Sequence, residues 1–218
     1  MTHRHLTRES IVDAAAAVAD RVGLSAVSMR NVAAEVGAQA MSLYHHVDNK
    51  DDLLFALAEW PYAHIPVPHQ ADPWRSGLHH RATTMLVLIK TRPWLCEVMG
   101  APTPGPAQLA HYEAMLTYLV AQGFPPRLGS STLYAVDSYV IGFASLTRSV
   151  PVPDAARTGL QSYLGRLGPT VADFPMVASA VTSSIEEPAN SVLEQVDIGL
   201  DLLLDGLGRR LTEADDAA

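Results

Sequence analysis

The chain has 218 residues, 48% hydrophobic and 17% charged, with a formal net charge of -8. That balance excludes a disordered polymer, and no apolar run approaches the roughly 18 uninterrupted residues of a membrane span. The N-terminal MTHRHLTRES lacks the apolar core of a signal peptide, so the expected compartment is the cytoplasm, and the single cysteine, Cys96, excludes an internal disulfide and any CxxC motif.

In chain order, LTRESIVDAAAAVADRVG (6 to 23) places Ile11, Ala14, Ala15, Val18 and Val22 on one helix face. Thr7 is a suitable N-cap, Leu6 and Ile11 occupy staple positions, and Gly23 is the stop. Ser28 caps a second helix, MRNVAAEV, stapled by Val27 and Val32 and stopped by Gly37. A third helix of about nine residues runs from Ala38 or Gln39 to Val47, completing the outline of a helix-turn-helix. A fourth begins at Asp48 or Asn49, with Asp51 and Asp52 where the helix dipole favours negative charge, and reaches about Trp60. Pro61, Pro66, Pro68 and Pro73 then mark a domain boundary.

Further helices are expected at about 73 to 92, 94 to 99, 107 to 122, 126 to 149, 155 to 167, 175 to 185 and 189 to 211, separated by Pro/Gly clusters. No useful strand alternation occurs, so the expected fold is all-α. The expected domains are residues 1–60, a helix-turn-helix head, and 61–218, a larger helical domain.

Charge is unevenly distributed along the chain. Residues 1–50 hold five Lys/Arg and five Asp/Glu, so the remainder carries the whole deficit, as suits a small reader joined to an acidic body.

The pair His45 and His46 invites a metal reading, but neighbours on a helix point about 100° apart and do not converge on one ion; the same holds for His79 and His80. No HExxH, GxSxG, Walker A or GxGxxG motif is present, so neither metal nor cofactor is expected and an enzyme reading has no residues to name. In the third helix, Leu43 and Val47 would face the core, leaving Gln39, Ser42, Tyr44, His45 and His46 outward. Amide, hydroxyl, phenol and imidazole groups suit the base edges of a major groove, and Lys50 at a helix start suits a phosphate. A solvated helix face is the competing reading, because helix-turn-helix shapes also occur in proteins that never touch DNA.

The motifs IVDAA (11 to 15), GLSAVSMRNVAAEVG (23 to 37) and SLYHHVDNKDDLL (42 to 54) resemble the DNA-binding domain of the tetracycline-repressor (TetR) family over Leu6 to Leu54. More loosely, WRSGLHHRATTMLVLIKTRPWL (74 to 95) and the helix order resemble the regulatory domain of the tetracycline-repressor subgroup. The resemblance implies that Arg30 reaches a base or phosphate, and that Gln39, Ala40, Met41, Ser42, Tyr44 and His45 occupy recognition positions. It also implies that Tyr44 and Lys50 hold phosphates and that His46 ends the recognition helix. Met41 stands where relatives often have proline, and Asp48 where they often have a basic residue.

The resemblance further implies a ligand cavity enclosed by helices bearing Met85, Trp94, Met99, Tyr112, Met115, Tyr139 and Phe143, with His64, His111 and Asp137 as polar candidates; ordinary core is the competing reading for each. It supplies no convincing set of tetracycline-metal ligands. The last helix, with Val192, Val196, Gly199, Leu200, Leu203 and Leu207 on one face, would join the helix at 126 to 149 in a two-fold four-helix dimer interface, unless that face is buried within one subunit. The resulting expectation is a homodimeric repressor released from a pseudo-palindromic DNA operator by a small-molecule effector. The alternative is an all-α enzyme or ligand carrier that does not bind DNA.

Overall fold

The computed structural model describes residues 6–99, 103–148, 173–179 and 192–215. Among these the regular elements are all helical: α1 (Arg8–Val22), α2 (Met29–Val36), α3 (Ala40–Leu43), α4 (Lys50–Glu59), α5 (Trp74–Thr91), α6 (Leu95–Val98), α7 (Pro106–Ala121), α8 (Pro126–Leu146) and α9 (Val192–Asp215), with short 3-10 turns at Leu24–Ala26 and Trp60–Ala63. Residues 175–179 are also helical, whereas the helix expected at 155 to 167 and the rest of that at 175 to 185 lie outside the described residues. The chain separates into two compact units, one of residues 1–69 with 91–118 and one of residues 70–90 with 119–218.

In the first unit, helix ends are set by side chains close in sequence. Thr7 Oγ1 accepts the Ser10 amide at 3.1 Å while Ser10 Oγ accepts the Thr7 amide at 3.0 Å, a reciprocal cap that starts α1. Ser28 accepts the Asn31 amide at the start of α2. Gly37, at φ 71° and ψ 30°, ends α2: its amide bonds to Ala34 O and that of Ala38 to Ala33 O, the paired closure that requires a left-handed residue. Asn49, rather than Asp48, caps α4 through the Asp52 amide at 2.9 Å. The apolar stripes meet in a core of Ile11, Ala15, Val18, Val27, Val32, Leu43, Val47, Leu53 and Leu57.

The third helix is shorter than its sequence suggests. Gln39 supplies no side-chain cap, and Leu43 O accepts the amides of both His46 and Val47, the shared bonding of a helix end. Regular helix therefore stops at Leu43, and Tyr44 to His46 continue as a turn.

In the second unit, α5, α8 and α9 bury Leu78, Met85, Leu86, Leu133, Val136, Val140, Val196, Leu200, Leu204 and Leu207. Arg81, fully buried, makes a two-armed ion pair with Asp137 at 2.5 and 3.2 Å. Such a pair is costly to desolvate, so its attraction persists only with both hydrogen bonds in place. Outside it, Arg75 pairs with Asp201 and Asp205, each at 2.8 Å.

The face of the last helix expected to meet another subunit is largely used within the chain. Val196, Leu200 and Leu207 are buried together with Leu204, and a Cβ at Gly199 would overlap the Tyr139 hydroxyl, which donates to Val196 O at 3.0 Å. The helix leaves Ile198 and Leu202 exposed instead, and α8 leaves Tyr134 exposed. Helical periodicity locates an apolar face without identifying what covers it.

Candidate nucleic-acid interface

The reading surface starts from the junction of α2 and α3. Leu43 and Val47 are buried and fix the turn against α2, which forces the intervening residues outward. Gln39, Met41, Tyr44 and His45 are exposed; Met41 is 73% exposed, well beyond what a core methionine would show. Ala40, Ser42 and His46 are half-buried, and Arg30 lies exposed near the start of α2. Lys50, also exposed, is the first residue of α4.

Ion pairing separates the described cations of residues 6–60 into two kinds. Arg21 is engaged with Glu35, and Arg8 donates to both Asp52 oxygens, at 2.9 and 2.5 Å, and to His46 O at 2.9 Å. That hydrogen bond holds the Asp52 carboxyl below its ordinary range, assisted by the Asp48 amide and opposed by partial burial. Arg30 and Lys50, by contrast, have no ion pair among the described residues, and they flank the exposed turn. Arg8 therefore braces the recognition turn against α4, a role its sequence position did not signal, while Arg30 and Lys50 keep their charge available to an anionic partner.

The candidate effector residues fall in both compact units. In the first, His64 is exposed and stacks on Trp60 with ring centroids 3.8 Å apart. Trp94 is buried and donates to Asp20 at 2.7 Å, Met99 and Met115 are buried, and the Tyr62 ring lies 5.8 Å from that of His111 and 6.4 Å from that of Tyr112. In the second, Met85 is core, Asp137 holds Arg81, and Tyr139 lies 6.0 Å from Phe143. Burial, and secondarily the charge of Asp197, pushes the Tyr139 phenol up. An open groove of about 680 Å³ in the first unit is lined by Val12, Phe55, Glu59, Trp60, His64 and Pro106 among others; of the effector candidates it takes in His64 alone. Among the described residues, no group of three or more His, Cys, Asp or Glu is placed to hold a metal, and no helix is long and apolar enough to cross a membrane.

A three-helix head with a capped scaffold helix, a left-handed glycine corner and an outward-facing second helix, flanked by available cations, defines a helix-turn-helix DNA-binding protein. Residues 11–57 match the model for bacterial regulatory proteins of the tetR family, and residues 66–211 match that for the tetracyclin repressor-like C-terminal domain. The HTH-type transcriptional repressor DrrR1 of Streptomyces coeruleorubidus is 31% identical, over 93% of this chain and 77% of its own length. Among solved structures, apo ActR from Streptomyces coelicolor has the same fold, with a TM-score of 0.74 at 24% identity over 98% of each chain. ActR in complex with actinorhodin matches at a TM-score of 0.71 and 23% identity, over 94% of this chain and 98% of its own. The chain belongs to the TetR family of bacterial transcriptional regulators. As such it is a DNA-binding transcriptional regulator rather than an enzyme.

Proposed function

We propose that Arg30, Gln39, Ala40, Met41, Ser42, Tyr44, His45, His46 and Lys50 form the operator interface, with residues 1–60 acting as reader and 61–218 as effector-binding and dimerisation domain. The observation that carries this assignment is the placement of Arg30 and Lys50, exposed and without an ion pair among the described residues, on either side of an exposed turn of hydrogen-bonding side chains. Tyr44 and Lys50 hold phosphates; Gln39, Ser42 and His45 read base edges; Met41 makes apolar contact with the groove. The two heads of a dimer occupy successive major grooves of a pseudo-palindromic site. The protein acts in the cytoplasm.

The effector is a predominantly apolar, aromatic small molecule that engages residues drawn from His64, Met85, Trp94, Met99, His111, Tyr112, Met115, Asp137, Tyr139 and Phe143. Support comes from the chemistry of these side chains and from ActR, a relative in fold whose structure is known in complex with actinorhodin. A coupling of about 1 to 3 kcal/mol between effector and operator lowers DNA affinity roughly 5- to 150-fold, provided the effector distinguishes the two states. The test is a shift assay on DNA flanking the protein's own gene, followed by a screen for compounds that release it. Sequence-specific retention and release by a compound support the assignment; retention that ignores DNA sequence at every salt concentration contradicts it.

A further inference from the structure

Helix α7 is capped from a distance. Its N-cap position is Gly105, whose carbonyl accepts the Leu109 amide at 2.9 Å but which has no side chain to satisfy the first-turn donors. Pro106 follows and has no amide to satisfy. The remaining three donors all turn to Glu59, the last residue of α4. Glu59 Oε1 accepts the Gly105 amide at 3.2 Å, and Oε2 accepts those of Ala107 at 2.5 Å and Gln108 at 3.4 Å. A Cβ at position 105 would overlap the Glu59 carboxylate where it stands, so a larger residue there would displace it. All these groups belong to the same compact unit.

A cap normally comes from the residue that begins the helix, so that the helix carries its own terminus wherever it moves. Here the first turn of α7 is satisfied from within the protein only while the end of α4 is in place, and the α7 dipole faces the charge of Glu59 only in that arrangement. Helix α4 begins at Lys50, and α7 carries His111, Tyr112 and Met115. We infer that Glu59 is a positioning residue that latches the operator-reading head to α7, so that a change at either is felt at the other. Because coupling between two sites is reciprocal, operator bound at the head stabilises the capped first turn of α7, and an effector that disturbs this turn weakens operator binding. The inference rests on the operator-reading assignment of the head.

The test needs only the full-length protein and an operator duplex selected by retention of DNA flanking the gene. Backbone amide exchange at Ala107 and Gln108 is measured with and without the duplex. Wild-type protein is expected to slow at these amides by at least about 5-fold on adding DNA, the lower end of ordinary coupling. Glu59→Ala and Gly105→Ala, which remove or displace the same carboxylate, are expected to abolish that slowing while exchange in α3 still responds to DNA, and the double variant to add nothing further. Glu59→Gln, which keeps an acceptor oxygen and is the variant of choice if Glu59→Ala does not fold, is expected to retain part of it. A cap with a local role alone would lower the thermal midpoint but leave the response to DNA unchanged in the variants, and that result overturns the latch. Operator binding by wild type with no change at Ala107 and Gln108 overturns the latch but not the reader. Failure of wild type to retain any DNA overturns both.

Discussion

Arg8 shows how geometry reassigns a residue that composition counts only as a charge. Its guanidinium holds Asp52 and the His46 carbonyl, so it supports the reading turn from behind. Asp52 has a folded-state pKa below its unfolded value, near 3.9, so its contribution to stability is complete above about pH 4 and is lost as the pH falls through the depressed value. Thermal midpoints of wild type and Asp52→Asn should differ by a constant amount from pH 5 to 8 and converge below about pH 4. In the reading surface, Tyr44→Ala and Lys50→Ala should each weaken operator binding, by about 1 kcal/mol or more for a lost charge-assisted phosphate contact, without altering the dimer, as measured by titration and by light scattering. Arg30→Ala distinguishes two roles. Loss of discrimination between operator variants marks a base contact, and uniform weakening marks a phosphate contact.

At the scale of the element, the helix ends depend on single residues. Gly37→Ala places a Cβ on a left-handed backbone and should cost about 1 kcal/mol in chemical denaturation, despite open space around that position. Leu43→Ala empties a fully buried site and should cost about 2 to 5 kcal/mol, with operator binding lost alongside because the same residue fixes the turn. The starts and stops of α1, α2 and α4 were legible because Thr7, Ser28, Gly37 and Asn49 act on backbone within a few residues. The interface candidates were accessible for a related reason: burial of Leu43 and Val47 at helical spacing forces their neighbours outward. The cap on α7, the Arg81–Asp137 pair and the brace from Arg8 were not legible, because each joins residues 38 or more positions apart and no local pattern announces the partner. The shortening of α3 leaves no mark in the sequence because its apolar spacing continues to Val47 although regular helical bonding stops at Leu43.

At the scale of the molecule, two chains must present two heads together. The exposed Ile198 and Leu202 of α9 and Tyr134 of α8 are large apolar groups that one chain leaves uncovered, whereas Val196, Leu200 and Leu207 are already spent within it. Leu202→Asp should therefore shift the protein toward monomer in light scattering at micromolar concentration while preserving its helical signal, and operator affinity should fall because the heads are no longer paired. Whether the turn between Arg30 and Lys50 reads an operator is decided by titrating an operator duplex and a scrambled duplex across a range of salt. The protein should prefer the operator, with a salt slope that falls by about one for each phosphate contact removed, hence about two per dimer in Lys50→Ala. Equal affinity for both duplexes, with a slope unchanged by that substitution, would contradict it.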